Sequence, residues 1–427
     1  MSFDVRAFKA FMESSTTPFQ AVLSARAILE NAGFKKLEVG EKWALERGGR
    51  YFVVSNDSYL CAFEIGKDFD LSQGCHIGAS HCDSPCFRIK AVPELKVDKY
   101  LCLDTEVYGG AKLESWHDRP LSIAGRVACR SNDVLHPEVR FVDLRRPVCM
   151  IADLAPHISD KSKVEAKVAS KMYPILGVSD GTEPDNWFRV FMGREMGVAP
   201  EDILDYELYV YNCAPCAEWG DKGEFLASAR LDNLTSVYAL ISAITSSDNA
   251  KGISAAIAYD HEEIGNRSKS GANSNITEYI FKRIYKALGY DEEDYMMGMS
   301  RSLIFSLDAA HSFNPMYGER YDKNNRCTLN QGLCIKQAST QSYATDSVMT
   351  GIVEQLCAKY DIPYQKFANH SDIRGGGTIG SVISAMLPVN AIDMGVPLLS
   401  MHSAMEMIGQ KDEGSLTSLL TAFYNEQ

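Results

Sequence analysis

Ser254-Ala-Ala-Ile-Ala-Tyr259 is an apolar run that passes directly into the polar sequence Asp260-His-Glu-Glu263. A short apolar run with a polar end is typical of a buried strand in an α/β sheet. The same arrangement recurs at three other places in the chain, which are Cys75–Ser80 before His81, Ser302–Leu307 before Asp308, and Pro397–Met401 before His402. Because side chains beyond the carboxyl ends of such strands gather at one edge of the sheet, the four runs together predict one shared site.

Helical patterns lie between these runs. After Asp232 the apolar residues recur at helical spacing as far as Ile244, and Asp346 is placed to cap a helix that reaches Tyr360. The alternation of strands and helices predicts the α/β fold class. Further predicted elements are a helix over residues 16–33 and strands at Tyr51–Ser55 and Tyr59–Ile65.

The sequence between about residues 90 and 230 has a different pattern. Short β-rich pieces alternate there with irregular segments, and the pieces are Val127–Arg130, Glu138–Leu144 and Leu208–Cys213. We therefore predict two domains, one formed by residues 1–89 and 231–427 and the other inserted into it as residues 90–230.

Composition excludes several classes of partner. The chain has 427 residues with 43 Lys plus Arg against 56 Asp plus Glu, so its formal net charge is −13. Nucleic acids and anionic membranes attract basic surfaces, and we expect neither as the main partner. The N-terminal sequence lacks the long apolar segment of a signal peptide, and no uncharged apolar run reaches the roughly 18 residues of a membrane span. These features predict a cytoplasmic protein.

The 12 cysteines are predicted to be reduced thiols, because no secretion signal accompanies them. Cys213-Ala-Pro-Cys216 has the spacing of a redox or zinc motif. The sequence contains no second pair to complete a zinc ribbon, and no redox-type helix follows, so we favour ordinary thiols here.

The candidate metal ligands are His81, Asp232, Asp308, His402 and one of the neighbours Glu262 and Glu263. Each alone has a simpler interpretation, since a lone histidine is usually structural and an aspartate opening a helix is usually its cap. Together they form a set of imidazoles and carboxylates beside strand ends or a helix start, which is the type of ligand set that divalent metal ions prefer. The combination therefore predicts a metal centre.

Acidic residues beside these ligands suit catalytic roles. In a strand-like His81-Cys-Asp83 the two outer side chains point the same way, so Asp83 can orient a ligand histidine. Of adjacent Glu262 and Glu263, one carboxylate can bind metal while the other acts as a general base on water. The HExxH motif of zincins is absent, because Gly265 stands four residues after His261.

Six motifs follow one another along the chain: HCDSPCFRIK (81–90), RLDNLTS (230–236), DHEEIG (260–265), DAAH (308–311), GGGTIG (375–380) and MGVPLLSMHSAME (394–406). In this order the chain resembles the aspartyl aminopeptidases, within the wider group of co-catalytic zinc exopeptidases, and the resemblance runs nearly end to end. It implies a metalloaminopeptidase with a central mixed sheet flanked by helices and an inserted β-rich domain that mediates dimerisation. It also implies assembly into tetrahedral dodecamers.

The resemblance implies a role for each site residue. Two zinc ions are expected, one on His81, Asp232 and Asp308 and the other on Asp232, Glu263 and His402. Cobalt or manganese could replace zinc on such ligands. Glu262 is the expected general base and Asp83 the carboxylate that supports the site. The substrate-binding candidates are His157, lent by a neighbouring subunit, with His311, Lys336 and Tyr343.

The resemblance implies a preference for N-terminal Asp or Glu, which requires a cation in the first pocket. Lys336 is the first candidate, with a surface lysine as the simpler interpretation, and Arg374 is a competitor. The chain departs from the family at Cys82, where threonine is common, and in the loop Asp372–Thr378. Two alternatives stay open: a dipeptidase, deacylase or aminopeptidase of neutral or broad specificity, and a metal-free thiol scaffold around Cys213 and Cys216.

Overall fold

The computed structural model describes residues 3–158 and 171–426. Within these ranges the chain forms nine α-helices and three β-sheets, which confirms the predicted α/β class. The helices are α1 (Val5–Ser14), α2 (Pro18–Asn31), α3 (Trp187–Met196), α4 (Leu231–Thr245), α5 (Ile276–Ala287), α6 (Glu292–Ser300), α7 (Ser347–Tyr360), α8 (Ile379–Met386) and α9 (Gln410–Asn425). The strands are β1 (Lys35–Leu37), β2 (Arg50–Ser55), β3 (Tyr59–Ile65), β4 (Cys75–His81), β5 (Cys86–Val97), β6 (Tyr100–Tyr108), β7 (Leu121–Cys129), β8 (Glu138–Asp143), β9 (Ile175–Val178), β10 (Ile203–Asn212), β11 (Ala217–Trp219), β12 (Phe225–Ser228), β13 (Ile253–Tyr259), β14 (Leu303–Leu307), β15 (Ala310–His311), β16 (Leu333–Gln337), β17 (Tyr364–Ala368), β18 (Asn390–Gly395), β19 (Pro397–Leu399) and β20 (Glu406–Gly409).

The largest sheet has nine strands in the order β1-β2-β3-β13-β4-β14-β18-β16-β17. Strand β4 lies between β13 and β14, and both neighbours run parallel to it. The sheet is mixed, because β3 is antiparallel to β13 and β16 is antiparallel to β18. Since β4, β13 and β14 are parallel, their carboxyl ends lie at the same edge of the sheet.

Helices cover both faces of this sheet. Successive residues of β13 belong to different cores, because side chains alternate across a strand. Ala256 and Ala258 belong to the core that contains α1, α2, α4, α7 and α9, whereas Ala255 and Ile257 belong to the core that contains α5, α6 and α8. Both faces are therefore buried, which explains why these strands are continuous apolar runs.

The helices on the first face lie very close to β4. A Cβ atom added at Gly78 would collide with the Leu240 side chain of α4 and the Tyr424 hydroxyl of α9. A glycine in the middle of β4 thus permits the contact that fixes α4, and with it Asp232, against the sheet.

The predicted helix starts are also found. Asp346 caps α7, and its carboxylate accepts a hydrogen bond of 2.8 Å from the Met349 N–H. Pro18 lies in the first turn of α2, where its missing N–H costs nothing. The helical pattern after Asp232 is confirmed as α4.

The second sheet has six antiparallel strands in the order β8-β7-β10-β5-β6-β9. It uses the chain from Cys86 to Asn212 and has its own apolar core, to which Phe87 and Trp116 belong. The three β-rich pieces predicted in this region correspond to β7, β8 and β10 and differ from them in their ends. The third sheet, in the order β11-β12-β20-β19-β15, joins residues 217–228 to the C-terminal part of the chain.

One strand prediction was partly wrong. The run Pro397–Met401 forms only the short β19, which lies in the third sheet, because the backbone turns at Ser400 with a φ of 63°. In the main sheet, the strand beside β14 on the side away from β4 is β18, Asn390–Gly395. We missed β18 because Asp393 interrupts its apolar pattern, although this aspartate is fully buried.

The prediction of reduced thiols is wrong for one pair. Cys327 and Cys334 form a disulfide, and their Cα atoms are 6.5 Å apart. The other ten cysteines lie in the described ranges as free thiols, including Cys213 and Cys216. Among the helices of residues 3–158 and 171–426, none is long and apolar enough to cross a membrane.

Candidate metal centre

Five side chains from separate elements meet at the carboxyl edge of the main sheet. His81 ends β4, Glu263 follows β13, Asp308 follows β14, Asp232 lies in the first turn of α4, and His402 follows β19. The His402 side chain is 33% exposed, whereas the other four side chains are largely buried. The structure thus brings together the five residues that the resemblance implied as ligands.

The distances divide these side chains into two groups that share Asp232. Nε2 of His81 lies 3.5 Å from Oδ1 of Asp232 and 3.6 Å from Oδ1 of Asp308. On the other side, Nε2 of His402 lies 3.5 Å from Oδ2 of Asp232 and 3.5 Å from Oε1 of Glu263. Each oxygen of Asp232 therefore faces a different histidine.

These separations fit metal ligands better than hydrogen bonds. A nitrogen–oxygen hydrogen bond is about 2.7–3.2 Å long, whereas two ligands of a tetrahedral zinc ion with bonds near 2.1 Å are about 3.4 Å apart. Within the described part of the chain, Oδ1 of Asp232 is buried and accepts no hydrogen bond. Ligand atoms of His81, Asp232 and Glu263 also lie within 4.8 Å of one another. The residues present thus fit a divalent metal ion.

Both histidines are oriented by their second ring nitrogen. Nδ1 of His81 is 3.0 Å from the carbonyl oxygen of Asp83, and Nδ1 of His402 is 3.0 Å from the carbonyl oxygen of Gly110. When Nδ1–H donates to these carbonyl groups, the lone pair of Nε2 points at the carboxylates and is available to a metal.

The Gly110 contact comes from the loop that follows strand β6 of the six-stranded sheet, which ends at Tyr108. A Cβ atom added at Gly109 would be 3.0 Å from Cβ of Glu263, and one at Gly110 would be 3.2 Å from Nδ1 of His402. Two successive glycines therefore allow this backbone to approach the ligands closely.

Asp83 supports the centre in a different way from the one we expected. Its side chain accepts the backbone N–H groups of Glu262 and Glu263, both at 3.1 Å, and the hydroxyl of Tyr108 at 2.7 Å. The ring of His81 bonds to the backbone carbonyl of Asp83, and its Nδ1 lies 3.4 Å from the carboxylate. The Asp83 carboxylate thus fixes the turn that carries both glutamates.

Glu262 lies in that turn, and its carboxylate takes part in none of the close histidine–carboxylate contacts described above. Burial raises the pKa of its carboxyl to about 7; the His81 imidazole opposes this shift and the Asp308 carboxylate adds to it. A group with a pKa near neutrality suits general-base catalysis. Burial, followed by the charge of Asp232, raises the pKa of Glu263 well above its usual value.

Lys336 is not at the surface, so the simpler interpretation of this residue was wrong. It is 2% exposed, and its Nζ donates to Oδ2 of Asp308 at 3.2 Å and to the carbonyl oxygen of Ala309 at 3.1 Å. The ring centroid of Tyr343 is 5.1 Å from the same nitrogen. The ammonium group therefore lies directly behind a candidate ligand, and one of its bonds goes to the carbonyl group two residues before His311.

His157 is placed differently from the other candidates. It is exposed, in the segment that immediately precedes the first residue outside the described ranges. Nothing in the structure brings it to the five ligands of its own chain.

The two departures from the family pattern have simple structural consequences. Cys82 is buried, and its Sγ donates to the carbonyl oxygen of Ser58 at 3.3 Å, away from the ligands. In the divergent loop, Thr378 donates to Oδ1 of Asp393 at 2.7 Å, and Arg374 is exposed.

Sequence reasoning missed Glu406, Tyr108 and Gly110. Glu406 is 2% exposed and accepts backbone N–H groups from Asp232 and His402. Burial and then the charge of Asp232 raise the pKa of Glu406 well above its usual value. Glu406 stood within a recognised motif, four residues after His402, whereas Tyr108 and Gly110 lie in the region predicted to be inserted and carry no sequence signal.

Comparisons with known proteins cover nearly the whole chain. Residues 11–424 match the family model described as aminopeptidase I zinc metalloprotease (M18). A Clostridium novyi (strain NT) protein named "Probable M18 family aminopeptidase 2" is 38% identical over 419 residues, which are 97% of this chain and 97% of that protein. A solved structure of the Ape4 and Nbr1 complex superposes with a TM-score of 0.94 and 32% identity, covering 98% of this chain and 84% of that chain. The S. cerevesiae mApe1 dodecamer gives a TM-score of 0.85 and 25% identity, covering 98% of this chain and 95% of that one.

Proposed function

The chain belongs to the aminopeptidase I (M18) family of zinc metalloproteases and is a metalloaminopeptidase; from that premise we propose that it uses two metal ions and prefers peptides with N-terminal Asp or Glu. The observation that carries the two-metal proposal is the position of Asp232, whose two oxygens lie 3.5 Å from two different histidines. A carboxylate in this position would supply one oxygen to each of two ions.

The proposed ligands are those that the distances group together. His81, Asp232 and Asp308 would hold one ion, and Asp232, Glu263 and His402 would hold the other. When bound, the ions supply Lewis acidity that polarises the scissile carbonyl, lowers the pKa of water and favours a free α-amino group. Zinc is the family's metal, and cobalt or manganese would suit the same nitrogen and oxygen ligands.

The chain's own residues complete the proposed reaction. The Glu262 carboxylate accepts a proton from the attacking water and then delivers it to the leaving amine. The Asp83 carboxylate accepts the backbone N–H of Glu262 and so fixes the position of that residue. The Glu262 carboxylate takes no part in this bond and stays available for proton transfer. His311 and Tyr343, beside Lys336, are proposed to contact the substrate.

We propose that residues 90–230 form the dimerisation domain and that dimers assemble into a cytoplasmic dodecamer. The similarity to the mApe1 dodecamer supports this assembly. Large apolar side chains in the region are exposed on the single chain, including Val134 at 94% and Leu135 at 84%. Exposed apolar residues of this kind favour burial in a protein interface.

If His157 enters the site of a neighbouring subunit, its loss can be complemented. Subunits with His157→Ala and subunits with Glu262→Gln are each expected to be nearly inactive alone, because each lacks one half of a shared site. After random reassembly in equal amounts, half of the dimers are mixed and one site in each is intact, so activity should return to about a quarter of wild type. The measurement is the hydrolysis rate before and after reassembly. No recovery, with mixed dimers verified by mass spectrometry, would place His157 outside the active site.

A panel of aminoacyl chromogenic substrates tests the acidic preference. We expect a higher kcat/KM for Asp and Glu than for Leu, and a Leu-preferring enzyme would support the alternative of neutral or broad specificity. Lys336→Ala removes a buried cation. Its loss leaves the carboxylate of an acidic N-terminal substrate residue unpaired, at a cost of about 2–5 kcal/mol. Cleavage of acidic substrates should therefore fall by tens to thousands of fold.

Lys336 has two candidate roles, which are to bind the acidic group of the substrate and to hold Asp308. The ratio of kcat/KM for an Asp substrate to that for a Leu substrate separates them. Because its Nζ also bonds to Asp308, some loss with Leu substrates is expected as well. A substrate cation requires the ratio to fall, and Arg374→Ala serves as the matched control that should leave it unchanged. An equal loss on both substrates would restrict Lys336 to holding Asp308, and a fall in the ratio with Arg374→Ala would transfer the role to Arg374.

A further inference from the structure

Glu406 joins two segments that each carry a proposed ligand. Its Oε1 accepts the backbone N–H of His402 at 2.7 Å, and its Oε2 accepts the backbone N–H of Asp232 at 3.0 Å. The side chain is 2% exposed. One buried carboxylate therefore fixes the main chain of two ligands that are 170 residues apart in sequence.

The ligands differ in how their backbones are held. His81 is paired within the main sheet, opposite Tyr259, and the N–H of Asp308 bonds to the carbonyl oxygen of Met394 at 2.9 Å. Asp232 and His402 lie outside the main sheet and lack that support. Glu406 supplies backbone hydrogen bonds to Asp232 and His402, as the main sheet does to His81 and Asp308.

The backbone of His402 gives this contact particular weight. Its φ is 63°, in the left-handed region that residues other than glycine rarely adopt. Such a conformation persists only where the surroundings hold it. The hydrogen bond from His402 N–H to Glu406, four residues later, closes this turn and directs the imidazole towards Asp232.

Asp83 shows the same arrangement on the other side of the centre. Its two oxygens accept the backbone N–H groups of Glu262 and Glu263. Asp83 and Glu406 are thus two buried carboxylates that each hold the main chain of two site residues. We propose that Glu406 is a positioning residue, which holds Asp232 and His402 in the geometry that the second metal ion requires. This inference rests on the proposed two-metal function.

Glu406→Gln tests the proposal with little change in shape. The amide keeps one accepting oxygen, but its NH₂ group would oppose a backbone N–H donor, so one of the two main-chain contacts is lost. The readout is metal binding to the metal-free protein, measured by competition with a chromogenic zinc chelator. We expect two equivalents in the wild type, and in the variant a 10–100-fold weaker affinity for at least the equivalent that His402 holds, as is typical when a group behind a ligand is lost. The kcat should fall with it at saturating substrate.

Glu413→Gln is the matched control. Glu413 is also fully buried, and neither of its side-chain oxygens accepts a hydrogen bond within the described residues. Its replacement should leave both metal affinities and kcat at their wild-type values. A similar loss in both variants would attribute the effect to burial of a carboxylate in general and would overturn the proposal.

Three further outcomes are decisive. Wild-type affinity for both equivalents in folded Glu406→Gln would overturn the positioning role and leave the two-metal function intact. Fewer than two equivalents in the wild type would overturn the two-metal function itself. If Glu406→Gln does not fold, hydrogen exchange of the metal-free wild type decides: the amides of Asp232 and His402 should be strongly protected, and fast exchange at both would contradict the contact.

Discussion

Glu262→Gln is expected to lower kcat by at least about 10²–10⁴-fold while the protein keeps its metal ions. The amide has almost the shape of the carboxylate but cannot accept a proton from water. The turn should stay in place, because Asp83 holds residue 262 by its backbone N–H and not by its side chain. The measurements are steady-state kinetics on an N-terminal Asp substrate and metal content of the purified variant.

Glu263→Gln provides the matched control for this result. The two residues are adjacent, both N–H groups bond to Asp83, and the same change of one atom is made in each. Only Glu263 lies 3.5 Å from a ligand histidine, so only its replacement should reduce the metal content. A Glu262→Gln variant that retained a tenth of wild-type activity would remove Glu262 from the role of general base.

Asp232→Ala is expected to deplete both metal equivalents and abolish activity. Each of its oxygens faces one histidine, so the substitution removes a ligand from both proposed sites at once. His81→Ala and His402→Ala each remove a ligand from one site and should weaken chiefly one equivalent. Metal content by mass spectrometry and titration of the metal-free proteins would establish this order.

The simpler interpretation of Asp232 as a helix cap predicts a different result. A lost cap costs about 0.5–2 kcal/mol of stability and leaves metal binding unchanged. Asp346→Ala is the control, since Asp346 caps α7 through Met349 and lies outside the metal centre. The structure gives α4 no side-chain cap at its start, and the Asp232 N–H that bonds to Glu406 survives in an alanine variant. Tight binding of two ions by Asp232→Ala would require another bridge between them.

Sequence reasoning succeeded where the signal was local. Strands β4, β13 and β14 are buried on both faces, so each is an apolar run, and the polar residue after it marks the sheet edge. His81 and Asp308 could be placed at one site for this reason alone. Assigning individual roles to Glu262 and Glu263 required the family resemblance, because adjacent glutamates give no local distinction.

The missed features depend on contacts between distant parts of the chain. Glu406 binds the backbone of Asp232, and no periodic pattern reports a bond to a main-chain amide 174 residues away. Burial of Asp393 was missed because charged residues are normally exposed, and this one is buried with hydrogen-bond partners. Strand β18 was missed with Asp393.

The carbonyl group of Gly110 has a consequence for how the chain unfolds. The loop after β6 orients His402 through Gly110, and the Lys112 N–H also bonds to the carbonyl oxygen of His402 at 2.9 Å. With His402 as a proposed metal ligand, the six-stranded sheet would contribute to metal affinity without supplying a ligand. Any opening of that sheet should then release metal, and by thermodynamic linkage bound metal should stabilise it. At a free metal concentration of 100 times Kd, this linkage amounts to about 2.7 kcal/mol. Bound metal should therefore couple the unfolding of the nine-stranded sheet to that of the six-stranded sheet. We expect the holoprotein to melt in one cooperative transition and the metal-free protein to melt in two.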